Sequence, residues 1–175
     1  TKNYFLNINN NNYKYNKVGW YGNINVTNRT NNNRKKLLNI GNNNKDIFDF
    51  IHVDSNTKKN FKSIIDIMKD YSILLDIEGG GYSARLKYLL LSNKPLLIVY
   101  RPYKEFFFKN LQEYVHYIPV KRDLSDLIEK TKWILNNYNE SLYIANNALE
   151  FAKTYLYEEY VYRHIFNIIQ NQNKI

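Results

Sequence analysis

The sequence contains no cysteine, one methionine and three prolines among its 175 residues. Without cysteine the chain can form no disulfide, no thiolate nucleophile and no zinc site with sulfur ligands. Its three histidines, His52, His116 and His164, do not recur at the spacing typical of metal ligands. Cysteine-based catalysis and sulfur-ligated metal sites are therefore excluded.

Long apolar segments and export signals are also missing. The longest apolar run lies around residues 95–100, far short of the roughly 20 residues that cross a bilayer. The chain begins at Thr1 without a basic, apolar leader, and it ends in QNQNKI rather than an ER retention signal. We therefore expect no membrane span, favour a cytoplasmic location, and expect the chain to be a fragment of a longer protein.

The formal net charge of +9 is concentrated in the first part of the chain. Residues 1–70 carry 12 Lys/Arg against 5 Asp/Glu, whereas residues 71–175 carry 13 against 11. A basic balance favours phosphate-bearing partners such as RNA, lipid headgroups or nucleotides, without choosing among them. A solvated, lysine-rich surface explains the same charge equally well.

The order of apolar patterns predicts an α/β fold. Residues 1–16 form an asparagine-rich polar lead, interpreted as a loop or the remnant of a missing N-terminal domain, and residues 17–170 form the domain itself. Strands are predicted near 17–22, 47–53, 72–77, 95–100 and 116–120, and helices near 57–70, 83–92, 124–135, 142–156 and 161–168. Strand, glycine turn, helix and strand in succession make a βαβ unit. We therefore predict a Rossmann-like parallel sheet with flanking helices and a helical C-terminus.

Between the predicted strands, residues 23–33 are interpreted as a flexible loop because of their composition. Trp20 and Trp133 are assigned to the core. Asp123 or Ser125 is expected to cap the helix that starts near residue 124.

The chemistry is expected in the segment DIEGGGYSARLKY at residues 76–88. It holds half of the six glycines in the chain: Gly79, Gly80 and Gly81. Glycines let the backbone approach a ligand closely, and a helix starting at Ser83 would direct its free N–H groups to the same place. The Ser83 hydroxyl and the Arg85 guanidinium add donors suited to phosphate oxygens. The segment therefore predicts a phosphate site, although a simple tight turn with a surface Arg85 would also explain it.

The glycine loop and the basic charge are also compatible with two other classes of function. Gly79, Gly81 and Ala84 fit the G-x-G-x-x-G/A dinucleotide fingerprint, and Arg101 follows the next strand, where an NADP 2′-phosphate would be met. About 70 residues precede the strand before this loop, however, whereas the fingerprint normally follows the first strand of its fold. A basic nucleic-acid-binding module is the other class, although the 17 tyrosines are scattered rather than set on one stacking face.

Two long blocks resemble glycosyltransferase family 90. They are DIEGGGYSARLKYLLLSNKPLL, which starts at residue 76, and EFFFKNLQEYVHYIPVKRDLSDLIEKTKWI at residues 105–134. Weaker similarity extends to WYGNINVTN at 20–28 and RKKLL at 34–38. This family includes protein O-glucosyltransferases, capsule xylosyltransferases and lipopolysaccharide-modifying enzymes. The resemblance implies a GT-B arrangement of two Rossmann-like domains, of which this chain would be the C-terminal, donor-binding one.

The resemblance also implies roles for individual residues. Ser83 and Arg85, with the glycine loop, would hold the diphosphate of a UDP-sugar, and Arg34 or alternatively Arg29 would supply the second cation. Tyr117 and Asp123 would border the nucleoside, although core packing and helix capping explain these two residues as well. Neither a metal nor a further cofactor is expected, because arginines would stabilise the diphosphate.

The family places its general base in the N-terminal domain, so no catalytic residue is assigned here. As this fragment alone the chain is expected to be inactive. The expected partners are the nucleotide-sugar donor, a protein or glycan acceptor and the missing domain, but no nucleic acid.

Overall fold

Five parallel strands form one sheet at the centre of the protein. The computed structural model describes residues 12–25 and 31–172. The strands are β1 (Tyr15–Gly22), β2 (Phe48–His52), β3 (Tyr71–Asp76), β4 (Leu96–Val99) and β5 (Ile118–Val120). They pair in parallel in the order β2-β1-β3-β4-β5. The predicted α/β fold with a parallel sheet is confirmed.

Helices cover both faces of this sheet. They are α1 (Asn31–Asn43), α2 (Ile64–Asp70), α3 (Leu86–Leu89), α4 (Leu127–Asn136), α5 (Tyr138–Tyr155) and α6 (Glu158–Gln172), with 3-10 turns at Lys58–Asn60, Leu90–Ser92 and Phe106–Asn110. Successive strand residues point to opposite faces, so Leu74 packs with residues of α2, α3 and α5, whereas Ile73 and Leu75 pack with residues of α1 and α4. The result is a three-layer arrangement with a buried central sheet.

The strand order reverses direction between β1 and β3. From β1 the chain passes outward to β2 and then returns to the other side of β1 to form β3. In open parallel sheets of this order, ligands bind in the crevice at the carboxyl ends of the strands flanking this reversal. Gly22 ends β1 and Asp76 ends β3, so the glycine loop that follows Asp76 lies beside the reversal point.

Several predicted elements differ from the structure. Helix α1 occupies part of the segment that was predicted as a loop. The helix predicted from residue 57 starts at Ile64, because Ser63 caps it by accepting a hydrogen bond from the Asp66 N–H. Helix α4 starts at Leu127, so the prediction that Asp123 or Ser125 caps it is wrong. Of the predicted polar lead at 1–16, residues 1–11 lie outside the described residues, as does Arg29, and β1 already starts at Tyr15.

The last helix, α6, contributes little to the domain core. None of its residues is buried, and several large apolar side chains on it are exposed, among them Tyr162, Phe166 and Ile169. No helix in the described part of the chain combines the length and the apolar character needed to cross a bilayer. The sheet and helices α1 to α5 therefore carry the framework that positions the site.

Candidate functional site

Charged residues gather where the strands end at the carboxyl edge of the sheet. Four arginines and two acids lie at or beyond the ends of β1, β3, β4 and β5: Arg34, Asp76, Glu78, Arg85, Arg101 and Arg122. Because side chains that follow neighbouring parallel strands meet at one edge of the sheet, these residues lie at the same edge although they are distant in the sequence. Arg34 and Arg85, beside the glycine loop, form the outer pair. Asp76, Glu78 and Arg101 form a buried inner layer.

Arg34 lies in the first part of α1 and is 9% exposed. Its Nε donates to the Glu78 carbonyl oxygen at 2.9 Å, and its Nη1 donates to the Asn23 carbonyl oxygen at 2.7 Å. The guanidinium also lies over the Trp20 ring, 5.5 Å from the ring centroid. Burial and the neighbouring charge of Arg85 together lower the pKa of Arg34 to about 10, against the opposing charges of Asp76 and Glu78. Arg34 therefore ties the loop after β1 to the loop after β3.

Arg85 makes the opposite connection from the end of the glycine loop. Its Nη1 donates to the Tyr21 carbonyl oxygen at 2.6 Å, at the end of β1. Burial is the main cause that lowers the pKa of this guanidinium, and the charge of Asp76 acts against it. Arg34 and Arg85 are thus held near each other by backbone carbonyls. Two like charges placed together in this way favour an anion between them.

Ser83 is turned inward rather than toward the outer pair. Its hydroxyl donates to Asp76 Oδ1 at 2.5 Å, and both residues are buried. The predicted helix start at Ser83 is wrong, because α3 begins at Leu86 and is four residues long. A turn joins the two positions, with the Leu86 N–H donating to the Ser83 carbonyl oxygen at 3.2 Å. The assignment of Ser83 to the diphosphate stays a prediction.

The glycine loop is open rather than strained. None of the described glycines has a positive φ. A Cβ added at Gly81 would meet no atom within 4 Å, and one added at Gly79 would meet Arg34 Nη2 at 3.6 Å. Gly80 is exposed. A positive φ therefore does not explain the glycines, and the backbone at Gly81 faces open space.

Beneath the outer pair, Asp76 and Arg101 form a buried ion pair. Arg101 Nη1 lies 2.5 Å from Asp76 Oδ2, and both side chains are almost completely inaccessible. The nitrogens of the Arg101 guanidinium have no aligned hydrogen-bond acceptor in the described part of the chain. Arg101 therefore faces the interior, where it cannot meet the 2′-phosphate of NADP.

Glu78 is a site residue that the sequence analysis did not identify. Its carboxylate is buried, and neither oxygen has a hydrogen-bond partner among the described residues. Arg122 Nη2 lies 3.5 Å from Oε1, close enough for an ion pair but poorly aligned for a hydrogen bond. Burial raises the pKa of Glu78, and the charges of Arg122, Arg101 and Arg34 oppose that shift. The sequence signal that could have identified Glu78 is its position, as an acidic residue between the end of β3 and the glycines.

The two residues predicted to border the nucleoside lie in different surroundings. The Tyr117 ring is buried and packs against Phe108 at 6.0 Å between centroids. Burial is the main cause that raises the pKa of Tyr117 to about 12. Asp123 Oδ1 accepts hydrogen bonds from the Ser125 N–H at 3.1 Å and from the Ser125 hydroxyl at 2.8 Å. Their roles in binding stay predictions.

Comparisons with known proteins agree with the resemblance. The family model described as glycosyl transferase family 90 matches residues 7–175. Protein O-glucosyltransferase 3 of Homo sapiens is 32% identical over 113 residues, which cover 65% of this chain and 22% of the relative. Protein O-glucosyltransferase 2 of Danio rerio is 34% identical over 108 residues, 62% of this chain and 21% of the relative. The chain thus spans about a fifth of the length of these relatives.

A solved structure supports the fold independently. The crystal structure of TarM superposes with a TM-score of 0.63 at 11% identity, covering 89% of this chain and 35% of that one. At this identity the likeness concerns the fold alone, and it agrees with the Rossmann-like domain expected for one half of a GT-B glycosyltransferase. Because the family model matches nearly the whole sequence, this chain belongs to glycosyl transferase family 90.

Proposed function

We propose that this chain is the donor-binding domain of a glycosyltransferase. It would hold the diphosphate of a UDP-sugar between Arg34 and Arg85 while a hexose or pentose passes to a hydroxyl of a protein or glycan. The observation that carries this proposal is the crossed pair of arginines beside the glycine loop. Each guanidinium is anchored by backbone carbonyls, so each keeps its positive charge for a ligand.

The chemistry of glycosyl transfer needs positive charge at this position. As the bond between the sugar and the diphosphate breaks, the leaving diphosphate gains negative charge. Hydrogen-bond donors of the protein that are already in position around that charge stabilise the transition state more than they stabilise the substrate. Two guanidiniums present paired N–H groups to phosphate oxygens, so we propose that the site works without a metal ion.

The glycine loop supports the same placement. Gly79 lies next to the Arg34 guanidinium, and the space above Gly81 is open. A phosphate placed between the two arginines would therefore also meet bare backbone. A side chain at either position would occupy the space that the ligand needs.

The acceptor and the general base are not assigned to residues of this chain. The two relatives compared above are named protein O-glucosyltransferases, and they favour a protein hydroxyl as acceptor and glucose as the sugar. Activation of that hydroxyl requires a base within hydrogen-bond reach of it. We propose that this base lies in a part of the enzyme outside the matched fifth of the relatives.

Isothermal titration of the chain with UDP and with NADP tests the proposal. We expect UDP to bind with the same affinity in EDTA and in Mg²⁺, and NADP to give no saturable heat at the same concentrations. Absence of UDP binding at millimolar concentration would refute the donor site. Binding of NADP but not UDP would favour an oxidoreductase, and affinity that depends on Mg²⁺ would contradict metal-independent binding.

A further inference from the structure

An open groove of about 430 Å³ lies between helix α5 and the residues that precede β5. Side chains from within residues 110–116 line one wall, and side chains from within residues 147–155 of α5 line the other. Because all five strands are parallel, the segment before β5 approaches the amino edge of the sheet, whereas the proposed diphosphate site lies at the carboxyl edge. The groove is therefore separate from the proposed diphosphate site.

Side-chain amides supply much of the polar surface of this groove. Asn110 and Gln112 line it from the loop, and Asn147 lines it from α5. Gln112 is exposed and the other two are half-buried, and within the described part of the chain none of these amides has a hydrogen-bond partner. An amide offers both donors and an acceptor. The three together suit a ligand whose own groups also donate and accept.

The other polar side chains add hydrogen-bonding capacity without positive charge. The Thr154 hydroxyl and the Glu150 carboxylate lie in the wall formed by α5, and Glu150 pairs with Lys153 at 2.7 Å. His116 Nδ1 accepts a hydrogen bond from the Gln112 N–H at 3.0 Å, which leaves Nε2 to carry the ring proton and donate. Burial lowers the pKa of His116, so this ring is neutral at pH 7.

Aromatic rings in contact with one another form the rest of the groove wall. Phe151 stacks on Tyr155 with 4.5 Å between ring centroids, and the His116 ring lies 5.0 Å from Phe151. Phe151 is buried, whereas Tyr155 and His116 are half-buried and keep part of their surface free. The face of an aromatic ring carries partial negative charge, so it packs favourably against the weakly positive C–H groups of a sugar ring.

This lining discriminates among classes of ligand. A nucleic acid would need lysine or arginine to meet its phosphates, and the described lining holds neither. A peptide anchored by apolar side chains would need an apolar pocket, but Val115 is the single aliphatic residue in that lining. A neutral sugar carries hydroxyls that both donate and accept on a ring with C–H faces, so it matches the amides and the aromatic rings together.

We propose that this groove binds a neutral oligosaccharide, with its hydroxyls on Asn110, Gln112 and Asn147 and a sugar ring against Tyr155. The proposal does not rest on the donor-binding function, because no residue of the groove belongs to the diphosphate site. The site would retain a glycan on the enzyme whether or not UDP is bound.

NMR titration of the nitrogen-15-labelled chain with maltotriose, cellotriose and xylotriose tests the proposal. We expect at least one of these sugars to shift signals of residues 110–116 and 147–155, with a Kd of about 1 to 10 mM that saturating UDP does not change. Gln112→Ala and Asn147→Ala should each weaken binding by about threefold to tenfold. Asn146→Ala, at the exposed neighbouring position on α5, is the matched control and should leave the affinity unchanged.

Urea denaturation separates binding from folding, and we expect equal midpoints for the three variants and the unchanged chain. Absence of saturable shifts with all three sugars at about 50 mM would overturn the proposal. Shifts outside the groove, or affinities that neither Gln112→Ala nor Asn147→Ala changes, would overturn it as well. Binding of a neutral serine-rich peptide in the groove, without binding of the sugars, would identify a peptide site instead. Failure of UDP to bind would refute the proposed function alone and leave the expected sugar binding intact.

Discussion

Arg34 and Arg85 reach across the reversal point of the sheet in opposite directions. Arg34 extends from α1 to the carbonyl of Glu78 in the loop after β3, and Arg85 extends from that loop to the carbonyl of Tyr21 at the end of β1. The two side chains therefore fasten the same two strand ends and gather positive charge between them. This arrangement makes their roles in stability and in binding separable by substitution.

Replacing Arg85 by alanine should weaken UDP binding more than it weakens the fold. The loss of a charge-assisted interaction with phosphate should reduce UDP affinity by about 1.5 to 3 kcal/mol. The lost hydrogen bond to the Tyr21 carbonyl should reduce the free energy of unfolding by about 1 kcal/mol. Urea denaturation and UDP titration measure the two effects. Unfolding of the variant, or unchanged UDP affinity, would mean that Arg85 is a structural residue.

Arg34 is buried, and lysine should not replace it without a loss of stability. A lysine keeps the charge but cannot donate to both the Asn23 and Glu78 carbonyls from one planar group. We expect Arg34→Lys to lower the free energy of unfolding by about 1 to 3 kcal/mol. Lys35→Ala, at the exposed neighbouring position, is the control and should change it by less than about 0.5 kcal/mol. Equal effects for the two variants would contradict the tying role of Arg34.

Two glycines should respond to substitution in opposite ways. A Cβ at Gly22 would lie 2.6 Å from Cζ2 of Trp20, so Gly22→Ala should destabilise the fold by about 1 to 3 kcal/mol through overpacking. Gly81 faces open space without a positive φ, so Gly81→Val should change stability by less than about 0.5 kcal/mol but weaken UDP. Thermal unfolding and UDP titration test both. A large stability loss at Gly81, or unchanged UDP affinity there, would show that the loop is not a ligand surface.

The parallel sheet and its order of elements could be predicted because the buried strands are unbroken apolar runs separated by turn residues. The run from Ile73 to Leu75 and the run from Leu96 to Val99 are recognisable from composition alone. Helix α1 could not be predicted in the same way, because its first residues are asparagines, which favour turns in isolation. Packing of Leu37 against the sheet overrides that local preference.

The site shows the same division between local and tertiary information. Arg85 and the glycine loop could be predicted, because they lie close together in the sequence and have a recognisable pattern. The burial of Glu78 could not, since the charge that faces it comes from Arg122 after β5. The inward turn of Ser83 could not either, since it depends on the buried position of its acceptor Asp76, which Arg101 after β4 pairs with. The crossed contacts of Arg34 join residues 44 positions apart and appear only once the sheet is assembled.

Glu78 should make the stability of the protein depend on pH. Burial raises its pKa above the ordinary value of 4.5, so the folded state holds the proton more tightly than the unfolded state does. Its contribution to stability is complete below pH 4.5 and is lost as pH rises through the folded-state pKa. Glu78→Gln should therefore match the parent protein near pH 4 and exceed its denaturation midpoint at pH 7.

The exposed Glu150 offers a control for that experiment, because it pairs with Lys153 on the surface of α5. Glu150→Gln should shift the midpoint little at either pH. If Glu78→Gln instead lowers the midpoint at pH 7 and not at pH 4, the ionised carboxylate stabilises the fold, and the ion pair with Arg122 outweighs its burial.

A crystal structure of the chain with UDP tests the central claim most directly. We expect the diphosphate between the two guanidiniums, with phosphate oxygens about 2.7 to 2.9 Å from nitrogens of Arg34 and Arg85 and in contact with the backbone at Gly79 or Gly81. A diphosphate bound elsewhere, with both arginines still bonded only to the carbonyls of Asn23, Glu78 and Tyr21, would contradict the account.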